Sequence, residues 1–237
     1  MPSGWPSPIP GRSEKAPDWR SWPTDIDWCS LQYTPMLQSR YYLATGTSDY
    51  NVPDFENLPA IIEEIAQVKA ALHELGYIPA IENLPLHPNR EQLSTALERV
   101  FSDQSRKPDD EIILYYCGHG WSDERHNLVL QDGHRYPTED LFRIIARAPV
   151  ARSVLIVLDT CHSGQMTLDI GKILASFEAR LENAECCITV VASSRSLQPA
   201  KAGAFTPAFA KVIRNDDRRL GGPSQKSIPL VEVMTAI

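Results

Sequence analysis

Two short segments hold the side chains best suited to covalent chemistry: His119 in YYCGHG (115–120) and Cys161 in LDTCHSG (158–164). A free thiol, with a pKa of about 8.5, is only a few per cent thiolate at neutral pH, so an imidazole that takes its proton makes it a nucleophile. The same imidazole can hand that proton to a departing amine, the general-acid step of acyl transfer. Cys161 is therefore the candidate nucleophile and His119 the candidate base and acid. A carbonyl under attack must approach the backbone closely, and its growing negative charge needs N–H donors already in place. The amides of Gly120 and Cys161 are the candidates for that role.

Both segments end apolar runs. EIILYYC (111–117) and SVLIVL (153–158) read as strands buried on both faces. In an open parallel sheet, reactive groups gather at the carboxyl ends of the strands, and neighbouring strands lie only about 4.8 Å apart. Adjacent strands here would bring His119 and Cys161 together. The connection between them is long enough for a right-handed crossover.

The surrounding pattern supplies such a sheet. Strand-like residues 41–45 precede an amphipathic helix over 58–75, with Ile61, Ile65, Val68, Leu72 and Leu75 inward and Gly76 as its stop. A short strand at 77–81 and a helix at 89–101 follow. After the 111–117 strand come a small hairpin around Asp132-Gly133, a helix from Thr138 to about 148, and the 153–158 strand. A helix at 172–183, a strand at 186–192 and a helix at 205–213 complete the order, which calls for an α/β fold with helices on both faces.

Residues 1–39 differ. Most of the tryptophans (Trp5, Trp19, Trp22, Trp28) and many prolines sit there with no helical or strand period, so an extended arm is expected, laid across the domain or a partner. Residues 214–227 (RNDDRRLGGPSQKS) read as a linker or exposed loop. The last segment, IPLVEVMTAI, starts a helix without a stop signal, so the chain is expected to be the front part of a longer or processed polypeptide.

Composition narrows the function. The 237 residues carry 23 Lys plus Arg against 30 Asp plus Glu, a formal net charge of -7, with no dense basic stretch, so nucleic acid is not an expected partner. No apolar run approaches the ~18–20 residues of a membrane helix, and the N-terminus lacks the apolar core of a secretory signal. No membrane partner and a cytoplasmic location are the expectation. The five cysteines are unevenly spaced and suit reduced thiols rather than a disulfide framework.

YYCGHG, followed 42 residues after its His by the Cys of LDTCHSG, resembles the caspase-like cysteine peptidases (clan CD, peptidase C14), specifically the bacterial and metacaspase-type branch. The resemblance covers residues 40–237, including YYLATGTSDY, IIEEIAQVKAALHELGY and VVASSRSLQPAKAGAFTPAF, and leaves out the arm. It implies a caspase-hemoglobinase fold with a mainly parallel six-stranded sheet, a His119/Cys161 dyad, and endopeptidase action on protein or peptide substrates. Relatives that cut after Arg or Lys have one acidic group two residues before the Cys and one on the first helix. Those positions are Asp159 and Glu64, the latter standing where the family usually has Asp. Caspases that cut after Asp carry a QACRG-type sequence that this chain lacks. Residues 193–200, with Ser193 and Gln198, match the family's substrate-binding edge, where an extended peptide adds as a strand. Some metacaspases need calcium; the chain has no EF-hand-like acidic loop, so the expectation is no cofactor, with calcium left open. Many such proteins serve bacterial defence or regulated cell death.

Plainer roles compete with these. Asp159 could bind backbone amides at its strand end, and Glu64 could be a solvated helix charge. His162 neighbours the nucleophile but points elsewhere, which suits loop shaping. Cys117, His119, Cys161 and His162 lack the compact spacing of a zinc site, so no metal is expected. Cys186 and Cys187 read as core thiols. A rival for the whole chain is a catalytically silent scaffold that binds peptides, against which the intact His119 and Cys161 count. Restraint of such an enzyme calls for an activating partner or an upstream protease, and Arg218 and Arg219 in the linker are the expected processing sites.

Overall fold

Apolar runs without a polar break decide the centre of the molecule. The computed structural model describes residues 39–82, 84–147, 151, 153–160, 186–193 and 205–214. All of them fall within Leu37–Ile237, the larger of two units into which the chain divides. Strands β1 (Arg40–Gly46), β2 (Ile78–Pro79), β3 (Glu111–Gly118), β7 (Ser153–Thr160) and β8 (Cys187–Ala192) form one sheet in the order β2-β1-β3-β7-β8. Every pairing in it is parallel. Five strands of the expected sheet are thus among the described residues.

Alternate side chains of β3 explain how helices cover both faces. Ile113, Tyr115 and Cys117 join a core with Ile61, Ile65, Val68 and Leu72 of α1 (Ala60–Glu74) and Phe205 and Phe209 of α4 (Phe205–Ile213). Ile112, Leu114 and Tyr116 face the other way, onto Leu93, Leu97 and Val100 of α2 (Arg90–Ser102) and Leu141, Phe142 and Ile145 of α3 (Thr138–Arg147). Burying each of these large side chains contributes about 1.5–3 kcal/mol, enough to fix which face each helix takes.

Local signals set the helix ends. Asn89 accepts the Gln92 amide at 2.8 Å while Gln92 accepts the Asn89 amide at 2.9 Å, a reciprocal cap for α2. Gly76 ends α1 with φ +82°, a conformation costly for any residue with a Cβ. β2 covers only Ile78–Pro79 of the expected 77–81, and the Ala80 amide closes its pairing with β1 by donating to the Tyr42 carbonyl at 2.8 Å. Thr138, the first residue of α3, donates its hydroxyl to the His126 carbonyl at 3.0 Å, tying the helix to a strand.

The expected hairpin has one more strand. β4 (Gly120–Ser122), β5 (His126–Val129) and β6 (Arg135–Pro137) form a separate antiparallel sheet. The β4–β5 turn lacks glycine or asparagine; the Asp123 carboxylate holds it by accepting the amides of Glu124 at 2.7 Å and Arg125 at 3.3 Å. The two cysteines read as core thiols also differ: Cys186 is half-buried and Cys187 exposed, because they stand at the start of β8 before its packed stretch. The expected helix at 172–183 and the linker lie outside the described residues.

Candidate active site

Register between β3 and β7 sets up the site. Cys117 pairs with Asp159, and Gly118 with Thr160, the last residues of their strands. His119 and Cys161 follow these two residues in the sequence. Cys161 itself lies outside the described residues, as do Gln198, Arg218 and Arg219. A Cβ on Gly118 would lie 3.0 Å from the Tyr50 hydroxyl and 3.3 Å from the Thr47 carbonyl, so a side chain at the turn into His119 would push these neighbours aside.

His119 is held from three directions. Its Nε2 lies 2.9 Å from the Glu56 carbonyl. A carbonyl only accepts, so Nε2 carries hydrogen, and neutral imidazole then keeps its lone pair on Nδ1, free for proton transfer. Its backbone amide donates to the Tyr50 hydroxyl at 2.8 Å, and that hydroxyl donates to the Thr47 carbonyl at 2.9 Å. The rings of Tyr50 and Phe55 flank the imidazole with centroids 4.8 and 5.3 Å away. Tyr50, Phe55 and the Glu56 carbonyl had no sequence signal as partners of His119. A backbone carbonyl leaves no trace in residue identity, though Tyr50 falls inside YYLATGTSDY.

Gly120 is buried at the start of β4, paired with Leu128. On the β7 side, Thr160 Oγ1 lies 3.2 Å from Nε2 of buried His126, which links the small sheet to the residue preceding Cys161. Sequence reading passed over His126, whose neighbours carry no motif.

A second cluster lies beneath the strand ends on the face covered by α1 and α4. Glu64 is 6% exposed, so it is not a solvated helix charge. Cys117 Sγ lies 3.5 Å from Glu64 Oε2 and 3.8 Å from Asp159 Oδ2. Asp159 also accepts the Thr206 hydroxyl at 2.7 Å. Its partners in the described structure are side chains, where a bond to backbone amides had been the plainer expectation. Thr206 spends its proton on Asp159, so the Tyr115 hydroxyl, in close contact with it, donates to Thr206. Burial first, then the Asp159 charge, raises the pKa of Glu64, while the Cys117 hydrogen bond opposes them. Burial and the two carboxylates push the Cys117 thiol well up, so it stays protonated and is no nucleophile.

The ligand atoms of Glu64, Cys117 and Asp159 lie within 4.8 Å of one another. Two hard carboxylates with a protonated thiol match no common metal's preferred set; together they form a buried negative cluster at the carboxyl ends of β3 and β7. Ser193 continues β8, its amide donating to the Leu158 carbonyl at 3.1 Å.

Comparison with known proteins places this arrangement. A caspase-domain profile, peptidase C14, matches residues 40–229. The Drosophila initiator caspase Dronc superposes with TM-score 0.47 at 11% identity, over 74% of this chain and 65% of that one. The chain therefore spans slightly less than two thirds of that caspase. No curated protein matches. Among the described residues no helix is long and apolar enough to cross a membrane. With four fifths of its length inside the family profile, and with a parallel sheet carrying His119 at a strand end, the chain belongs to the caspase-domain family of cysteine peptidases.

Proposed function

We propose that this protein is a cysteine endopeptidase of metacaspase type that cuts protein substrates after Arg or Lys. The observation that carries the reading is the β3–β7 register, which ends both strands at one step, Gly118 opposite Thr160, the residues that immediately precede His119 and Cys161 in the sequence. His119 Nδ1 takes the Cys161 proton, the thiolate adds to the scissile carbonyl, and the amides of Gly120 and Cys161 receive the oxyanion. The imidazolium then protonates the leaving amine, and water releases the acyl group by the reverse sequence. The Glu64–Asp159 carboxylate pair supports the choice of a basic residue before the cut, since carboxylates shielded from water attract a cation and repel an anion. β8 is outermost in the described strand order, which fits an extended peptide adding beside Ser193 and Gln198. A cytoplasmic setting, with control by a partner or by cleavage after Arg218 or Arg219, completes the proposal.

The test is hydrolysis of internally quenched peptides by wild type, Cys161→Ala and His119→Ala, each verified as folded. Both variants should lose at least on the order of a hundredfold in turnover. Near-normal turnover by either one would sink the dyad. For control, Arg218→Ala with Arg219→Ala should block processing and hold activity low. A wild type that stays uncut while fully active removes the processing step.

A further inference from the structure

Among the described residues the large apolar side chains left exposed are Ile62, Ile78 and Trp121. Trp121 alone adjoins the catalytic imidazole through an unbroken series of rings. It is 39% exposed and meets Phe55 edge-on, with centroids 6.3 Å apart at 85°. Phe55 in turn packs against His119. The Arg135 guanidinium lies 4.4 Å over the Trp121 ring and pairs with Asp123 at 3.0 Å, so the indole is fixed and its neighbouring charge is neutralised. A rigid, exposed aromatic next to a catalytic group is a preformed binding wall, with little ordering entropy left to lose.

Position decides what it binds. The Glu64–Asp159 pair belongs to the sheet face covered by α1 and α4, whereas β4, which bears Trp121, belongs to the small sheet whose Leu128 and Tyr136 pack with α3 on the opposite face. A peptide with its basic residue directed at that pair must pass His119 and leave toward the other face. His119 has to reach the leaving amine, so the residue that owns this amine comes up against the rings beside His119. We infer that Phe55 and Trp121 form the subsite for the first residue after the cut and select a large apolar or aromatic side chain there. This rests on the peptidase reading above and adds a second specificity to it.

The experiment is digestion of a mixed peptide library by wild type, Trp121→Ala and Trp121→Phe, with both new ends of every product read by mass spectrometry. Wild type should favour Phe, Tyr, Leu or Met over Gly just after the cut by about tenfold or more, within the range one apolar pocket supplies. Trp121→Ala should flatten that preference to about twofold or less, and Trp121→Phe should keep most of it. The readout is a ratio within one digest, so partial misfolding of a variant does not imitate the effect. Cutting after Arg or Lys with no apolar preference behind the cut, or a preference that survives Trp121→Ala, overturns the subsite and leaves the peptidase reading standing. A library left uncut overturns both.

Discussion

Two neighbouring parts of the site are built on opposite principles. Among the described residues the contacts of His119 are neutral: a backbone carbonyl, a tyrosine hydroxyl and two aromatic rings. Around Cys117 the structure gathers two carboxylates that have no cation among the described groups touching them. The first arrangement fixes orientation and tautomer without adding charge that would bias the base. The second holds unfavourable charge away from solvent, which under the proposed reading is tolerable because a substrate cation supplies the missing partner. Chemistry and selectivity are thereby separable, and mutations on the two sides should separate them.

The largest effect is expected on the neutral side. His119→Ala should lower turnover by about 10²–10⁴ whatever residue precedes the cut, because proton transfer is common to all substrates. Asp159→Asn comes next, with a loss of about a hundredfold on Arg peptides and a much smaller loss on peptides with an uncharged residue there, read as a change in the ratio of kcat/KM values. Equal losses on both kinds of peptide would show that Asp159 serves the fold instead. Tyr50→Phe removes the hydroxyl joining the Thr47 carbonyl to the His119 amide, and should cost about 1 kcal/mol of stability and lower kcat more than it raises KM. A change confined to KM would assign Tyr50 to substrate binding.

The smallest effect concerns pH. Glu64 has its pKa raised in the folded chain, so between its unfolded value and the raised one the native state holds more protons than the unfolded state. Stability contributed by this group therefore falls as pH rises through that window, and the penalty is complete above it. Glu64→Gln should melt higher than wild type at pH 7 by roughly a few degrees, with the difference gone near pH 4. An Arg-ended ligand should bind wild type more tightly as pH rises through the same window, since its cation favours the charged form. A melting difference that persists at low pH would contradict the assignment.

Much of this was written in the sequence in a form that physics can read. EIILYYC and SVLIVL announce strands buried on both faces, and the 61, 65, 68, 72 spacing announces the covering helix. The residues with reactive side chains were visible because chemistry restricts their type. What holds them was not. The Glu56 carbonyl is shared by all residue types, and Tyr50 acts through a fold-dependent contact across 69 positions. Strand β4 escaped notice because Asp123 makes its turn with a side chain instead of a glycine. Glu64 could be read as buried or surface, since its helix face depends on the whole-domain packing that only the structure shows.

The most direct test of the central claim is intact-mass analysis after treatment with an Arg-ended peptide electrophile, beside an Asp-ended analogue. Competing thiols among the described residues are distinguishable: burial holds Cys117 protonated and raises Cys186 to about 11, while Cys187 is exposed and serves as the internal comparison. The account predicts one rapid adduct on Cys161 from the Arg reagent, a much slower one from the Asp reagent, and a marked slowing in His119→Ala. Labelling of Cys161 no faster than Cys187, or equally fast with either reagent, would contradict it.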